Sequence, residues 1–153
     1  MMQKHLATIA IAAGFVALTT FGFFAQSAPP AAAVGGPALG GYCPVAYVAM
    51  NHAMKGDAQH KSVHDGKTYH FANADAKKMF DAAPVKYVPA YDGLCATAVA
   101  QGMKLPSDPT LFTIHNGRAY LFSAAEAKAM FDRDKAGTIS KADAEWPKVN
   151  QAK

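Results

Sequence analysis

Val63-His64-Asp65-Gly66-Lys67-Thr68-Tyr69-His70-Phe71, running into Ala74-Asp75-Ala76-Lys77-Lys78-Met79-Phe80-Asp81, decides the fold because it occurs twice. It returns as Ile114-His115-Asn116-Gly117-Arg118-Ala119-Tyr120-Leu121-Phe122 and Ala125-Glu126-Ala127-Lys128-Ala129-Met130-Phe131-Asp132. The spacing is about fifty residues and about half of the aligned positions are identical, which reads as an internal duplication. Asp65-Gly66 and Asn116-Gly117 suit the positive φ of a two-residue hairpin turn, and the β-branched and aromatic residues around them favour strands. Beyond each second strand, Ala76, Met79, Phe80 and Ala83, and likewise Ala127, Met130 and Phe131, fall at helical spacing. They predict one apolar helical stripe per copy, with Met79 and Met130 as flexible core filler. Asn73 and Ser123 stand where N-caps belong. A hairpin and helix bury one face only, so the expected fold is α+β: two fused β-hairpin-plus-helix halves about an approximate two-fold axis, forming one compact domain.

The repeat extends upstream to the only two cysteines. Gly41-Tyr42-Cys43-Pro44-Val45-Ala46 precedes the first copy and Gly93-Leu94-Cys95-Ala96-Thr97-Ala98 the second. A pseudo-two-fold axis makes Cys43 and Cys95 symmetry mates, and mates near such an axis can face each other. Tyr42 to Met54 suits a strand or a short helix. Leu94 to Met103 is expected to be a buried helix with Cys95 near its N-terminus, where the helix dipole favours the thiolate.

At the start of the chain, Lys4 and His5 precede an apolar run from Leu6 to Phe24 and a small-residue exit. Residues 1–27 read as a secretory signal peptide, an uncleaved anchor being the other reading of so long a run. Residues 28–40, rich in Ala, Pro and Gly, are expected to be a flexible linker. The domain then spans 41–148, with halves 41–90 and 91–148. It ends in a short helix, Thr138 to Trp146, stopped by Pro147 and followed by a polar tail, 149–153. An exported chain belongs in the periplasm or outside the cell, touching membrane only through its N-terminal segment if that is uncleaved. The formal charge of +4 comes from lysines spread through the 153 residues, so it does not argue for nucleic acid.

From Gly41 to Pro147 the chain resembles YHS-domain proteins of the small secreted bacterial kind. The residues that carry the likeness are Gly41-Tyr42-Cys43-Pro44-Val45-Ala46-Tyr47, Asp65-Gly66-Lys67-Thr68-Tyr69-His70-Phe71, Ala76-Lys77-Lys78-Met79-Phe80, Tyr91-Asp92-Gly93-Leu94-Cys95-Ala96 and Lys141-Ala142-Asp143-Ala144-Glu145-Trp146-Pro147. The resemblance implies an association with heavy metals. It departs from the family at two points: metal-binding relatives carry cysteines where this chain has Ala72 and Ala76, and many secreted relatives have Asp where it has Cys43.

Two readings of the cysteines are open. Thiolates select Cu(I) among biological ions, so Cys43 and Cys95 together are the candidate metal site. Met50, Met54, His52 and Met103 lie closest in sequence as further ligands. The alternative is a disulfide in a structural or interaction module, which would close a loop of about fifty residues and contribute roughly 4 kcal/mol. His64 and His115 hold matching places beside the hairpin turns and are a weaker metal pair. No Gly-x-Ser-x-Gly, His-Glu-x-x-His or phosphate-loop motif occurs, so no enzyme is expected. The functional expectation is an exported binder of copper, as Cu(I), acting in metal storage, delivery or tolerance, with a metal-delivery protein as partner.

Overall fold

Both hairpins form where the turn dipeptides place them. In the computed structural model, which describes residues 36–151, β1 (Asp57–His64) pairs antiparallel with β2 (Lys67–Phe71), and β3 (Asp108–His115) with β4 (Arg118–Phe122). Asp65 and Gly66 have φ of 48° and 73°, and Asn116 and Gly117 have 50° and 73°, so the turn residues are those that tolerate the left-handed region. Each hairpin carries an irregularity in its first strand, between Asp57 and Lys61 and between Asp108 and Phe112. The Asp57 carboxylate accepts from the Gln59 N–H, and the Asp108 carboxylate from the Thr110 N–H and hydroxyl, a local bonding pattern that stabilises a bulge. The fold is α+β, with two separate two-stranded sheets and six α-helices among the described residues. The expected signal peptide and most of the expected linker lie outside those residues.

After each hairpin comes a helix of nine residues, α2 (Ala74–Ala82) and α5 (Ala125–Arg133). Asn73 caps α2 as expected, its side chain accepting from the Ala76 N–H at 2.8 Å. Ser123 does not cap α5: Ala124 takes that position, and the Ser123 hydroxyl turns to Cys95 instead. Phe80 and Phe131 are buried, packed at 4.9–5.1 Å between ring centroids on Tyr69 and Phe71 and on Tyr120 and Phe122 respectively. Met79 and Met130, expected in the core, are 43% and 51% exposed. Successive residues point about 100° apart around a helix, so a narrow hairpin that takes the Phe leaves its neighbour at the edge.

The other helices are α1 (Pro44–Met50), α3 (Pro84–Tyr87), α4 (Ala96–Val99) and α6 (Lys135–Gln151). Tyr42 to Met54 thus resolves as a helix, opened by Pro44 at its first position, where the missing N–H costs nothing. The helix expected from Leu94 to Met103 is a single turn, because the chain leaves through Gly102 at φ 73°. At the other end, α6 passes through Pro147 and buries Val149, so residues 149–151 belong to the domain and not to a tail. Packing on both sides of Pro147 outweighs the one bond it removes: Ala142 and Val149 enter the core, and Trp146 lies 5.6 Å from the Tyr91 ring. The domain also begins earlier than Gly41. Ala38–Gly41 forms a 3-10 turn, and Leu39 sits so close to Gly93 that a Cβ there would fall 2.5 Å from Leu39 Cδ2.

Three apolar clusters hold the molecule. One gathers Cys43, Tyr69, Phe71 and Phe80; another gathers Cys95, Val99, Tyr120, Phe122 and Phe131 with Ala142 and Val149 of α6. Tyr47, Ala119 and Leu121 form the third, which joins the two hairpin units. Across the same junction the Tyr47 hydroxyl donates to the Pro109 carbonyl at 2.7 Å, and Lys67 pairs with Asp92 at 2.8 Å.

Two carboxylates fasten helix to strand. Asp81 of α2 accepts from Lys77 and from Ser62 of β1, and Asp132 of α5 accepts from Lys128, from Lys135 and from Thr113 of β3. The bonds from Lys77 and Ser62 hold the Asp81 carboxyl below the usual range. Burial opposes ionisation of Asp132, but the bonds from Lys128, Thr113 and Lys135 outweigh it and leave that carboxyl depressed too. A depressed carboxyl contributes stability above its unfolded-state pKa and loses it as pH falls through the folded value. Urea midpoints should therefore drop as the pH is lowered through and below the ordinary carboxylate range, and the drop should be shallower in Asp81→Asn/Asp132→Asn. At this exposure each clamp contributes no more than about 1 kcal/mol.

Candidate metal-binding pocket

Cys43 sits at the N-cap of α1, held by its backbone: its N–H donates to the Met54 carbonyl at 2.8 Å, and the Gly56 N–H donates to the Gly41 carbonyl at 2.8 Å. These bonds clip the segment that follows α1 against the turn that precedes it. Cys43 is fully buried, and it is among the residues that line an open pocket of roughly 260 Å³. Met50 from the end of α1, Met54 from the following loop and Met79 from α2 line the same pocket, over a floor that includes Ala72 and Ala76. One cysteine and three methionines thus contribute to the lining of a single pocket. Asp75 reaches its rim, mostly exposed and 3.7 Å from Lys78.

Cys95 has the matching place at the N-cap of α4, its N–H donating to the Leu105 carbonyl at 3.0 Å. Its surroundings are closed. The Ser123 hydroxyl donates to Cys95 Sγ at 3.4 Å, the Thr97 hydroxyl donates to the Ala127 carbonyl at 2.8 Å, and α6 packs against α4. In the first unit the chain after α2 makes only the single turn of α3 before Pro89, so the corresponding face stays open.

The structure does not bring Cys43 and Cys95 together. Each belongs to its own apolar cluster, and both thiols are free. The disulfide expected as the alternative is not formed, and the two cysteines lie in different clusters. The reason lies in the packing: each cysteine opens a helix that docks on its own hairpin, while Tyr47, Ala119 and Leu121 supply the joint between units.

Of the other expected ligands, Met50 and Met54 join Cys43, whereas Met103 is exposed in the segment after α4 and lies outside this pocket. His52 is exposed. His64 is half-buried, edge-on to Phe80 with ring centroids 6.0 Å apart and 3.4 Å from Asp65. His115 ends β3 on the other hairpin. Among the described residues no three of His, Cys, Asp and Glu converge as metal ligands, so a soft sulfur set is the donor arrangement the pocket offers. The sequence reading placed Met79 in the core, whereas it lines this pocket. Its signal was there: it lies one helical turn after Ala76, on the face where metal-binding relatives were expected to carry a ligand. Acid-base chemistry finds little here, since burial raises the phenols of Tyr47 and Tyr91, and pushes Tyr69 up to about 12, keeping all three protonated. Comparison with known proteins finds no matching family model, curated protein or solved structure.

Proposed function

We propose that the protein is an exported, non-enzymatic binder of a soft metal ion, copper foremost, and that it holds the ion at Cys43. The observation that carries this reading is that Cys43, free and buried, is among the residues lining an open pocket in company with Met50, Met54 and Met79. Thiolate and thioether ligands favour Cu(I) over harder ions. The likeness to YHS domains supports the same place: the two positions where metal-binding relatives carry cysteines are Ala72 and Ala76, and both line this pocket. On this reading the chain has kept the family's location and changed its donors. The matching turns, bulges and helices of the two hairpin units suit an ancestral duplication after which one unit alone retained an open site. Export rests on the apolar Leu6–Phe24 segment, and places the protein in the periplasm or outside the cell, in storage, delivery or tolerance of the ion, with a metal-delivery protein as partner.

Anaerobic titration of the reduced protein with Cu(I), followed by the ultraviolet charge-transfer absorption of the Cu–thiolate bond, tests it. One equivalent is expected to bind, and denaturation of the metal-free protein without reductant should then release two titratable thiols. Failure to take up a stoichiometric ion, or a protein found with its cysteines bridged, would sink the reading.

A further inference from the structure

Resting on the reading that Cys43 is the metal site, we infer that Met50, Met54 and Met79 are ligands which, with one thiolate, make the pocket specific for a monovalent d10 cation, Cu(I) or Ag(I), against divalent ions. Charge is the argument. A thioether is neutral, so the pocket supplies one negative charge when Cys43 ionises. A monovalent ion then gives a site of zero net charge, which an enclosure floored by Ala72 and Ala76 accommodates. A divalent ion would leave an uncompensated positive charge against apolar walls, and such a charge is costly to bury unless paired. Asp75 does not supply that compensation, because its carboxylate is 88% exposed at the rim and faces Lys78. Donor set points the same way, since Zn(II) takes several thiolate, imidazole or carboxylate ligands, the pocket supplies one thiolate beside neutral thioethers, and no group of three His, Cys, Asp or Glu forms among the described residues.

Exposure alone does not mark a ligand, since Met130 is 51% exposed; what sets Met50, Met54 and Met79 apart is that they line the pocket with Cys43. Met50 is 53% and Met79 43% exposed, while Met54 is half-buried against the cluster around Cys43. Large apolar side chains held at a pocket mouth with so much surface in water gain little from burial. As ligands they would close over an ion while the buried thiol holds it from below. Binding balances simply: the Cys43 S–H bond breaks, an S–Cu bond forms, the proton passes to solvent, and neither metal nor sulfur changes oxidation state.

The test compares the purified protein with Met50→Leu/Met54→Leu/Met79→Leu, with Met79→Leu alone and with Cys43→Ser. Leucine keeps volume and apolarity, so melting temperatures should hold. Competition against a colorimetric Cu(I) chelator should show the triple variant losing at least the roughly 10–100-fold in affinity that even an outer-shell change costs, with Met79→Leu intermediate. X-ray absorption at the copper edge should give the wild type a shell of sulfur alone, and excess Zn(II) should not displace the ion. A triple variant that binds Cu(I) as tightly as wild type, or a wild-type shell dominated by nitrogen and oxygen, overturns the methionine assignment and leaves Cys43 standing. Unchanged affinity in Cys43→Ser overturns the underlying site itself.

Discussion

Cys43→Ser is expected to abolish high-affinity Cu(I) binding, whereas Cys95→Ser is expected to leave binding intact and to cost stability alone. The two residues look equivalent in the chain and differ in their settings. Cys43 is as buried as Cys95 but is among the residues that line an open pocket, and a serine hydroxyl there is a poor ligand for a soft ion. Cys95 is sealed among Ala96, Val99, Phe122 and the residues of α6, with the Ser123 hydroxyl as its polar partner. A serine there places a strongly polar group in hydrocarbon with a single neighbour to satisfy it, a loss of about 1–3 kcal/mol. Parallel Cu(I) competition and urea unfolding of the two variants would decide. If both lost metal to the same degree, or neither did, the assignment of the two cysteines to different tasks would fail.

The largest effect on stability is expected from Phe131→Ala. Its ring is fully buried and lies 5.0 Å from both Tyr120 and Phe122, beneath a cluster that α6 completes. Truncation removes the transfer energy of the ring and leaves a cavity that two short strands and three helices cannot collapse into, for a cost of about 3–5 kcal/mol. Its neighbour supplies the control. Met130 is half-exposed, so Met130→Ala should change stability by no more than about 0.5 kcal/mol. Denaturant midpoints for the pair would check the placement of the helical stripe, and a costly Met130→Ala would return that residue to the core.

How far the chain could be read in advance follows from which interactions are local. Asp65-Gly66 and Asn116-Gly117 set their hairpins through backbone preferences that act within four residues, and both turns stand where those dipeptides put them. Asn73 likewise caps the helix it precedes. Misreadings arose where the outcome depends on distant partners. Ser123 had the right chemistry for a cap but lies within reach of a sulfur 28 positions earlier. Met79 and Met130 share the helical period of Phe80 and Phe131, and only the width of the hairpin tells which residue goes beneath it. Asp81 and Asp132 end the repeated helical stretch with no local mark of a partner, yet each bonds back to the first strand of its hairpin. For the candidate pocket, the repeat drew attention to Cys43, and closeness in sequence to Met50 and Met54, which line the same pocket. It also invited the inference that equivalent cysteines meet, which similarity in sequence cannot establish: an axis relates two places without making them adjacent.

The turn before Cys43 bears on how quickly an ion could be taken up. Leu39, Gly40 and Gly41 occupy the left-handed region in succession, as do Tyr91, Asp92 and Gly93 before Cys95. For the non-glycine members this conformation costs roughly 1–2 kcal/mol each, and it persists only where the surroundings dictate it. Here Leu39 is wedged against Gly93 and the Met54 loop is latched to the turn by main-chain bonds. The ordering of that loop beside Cys43 is thus already met by folding, so capture of an ion would carry a smaller entropic penalty than it would in a floppy sulfur-rich peptide.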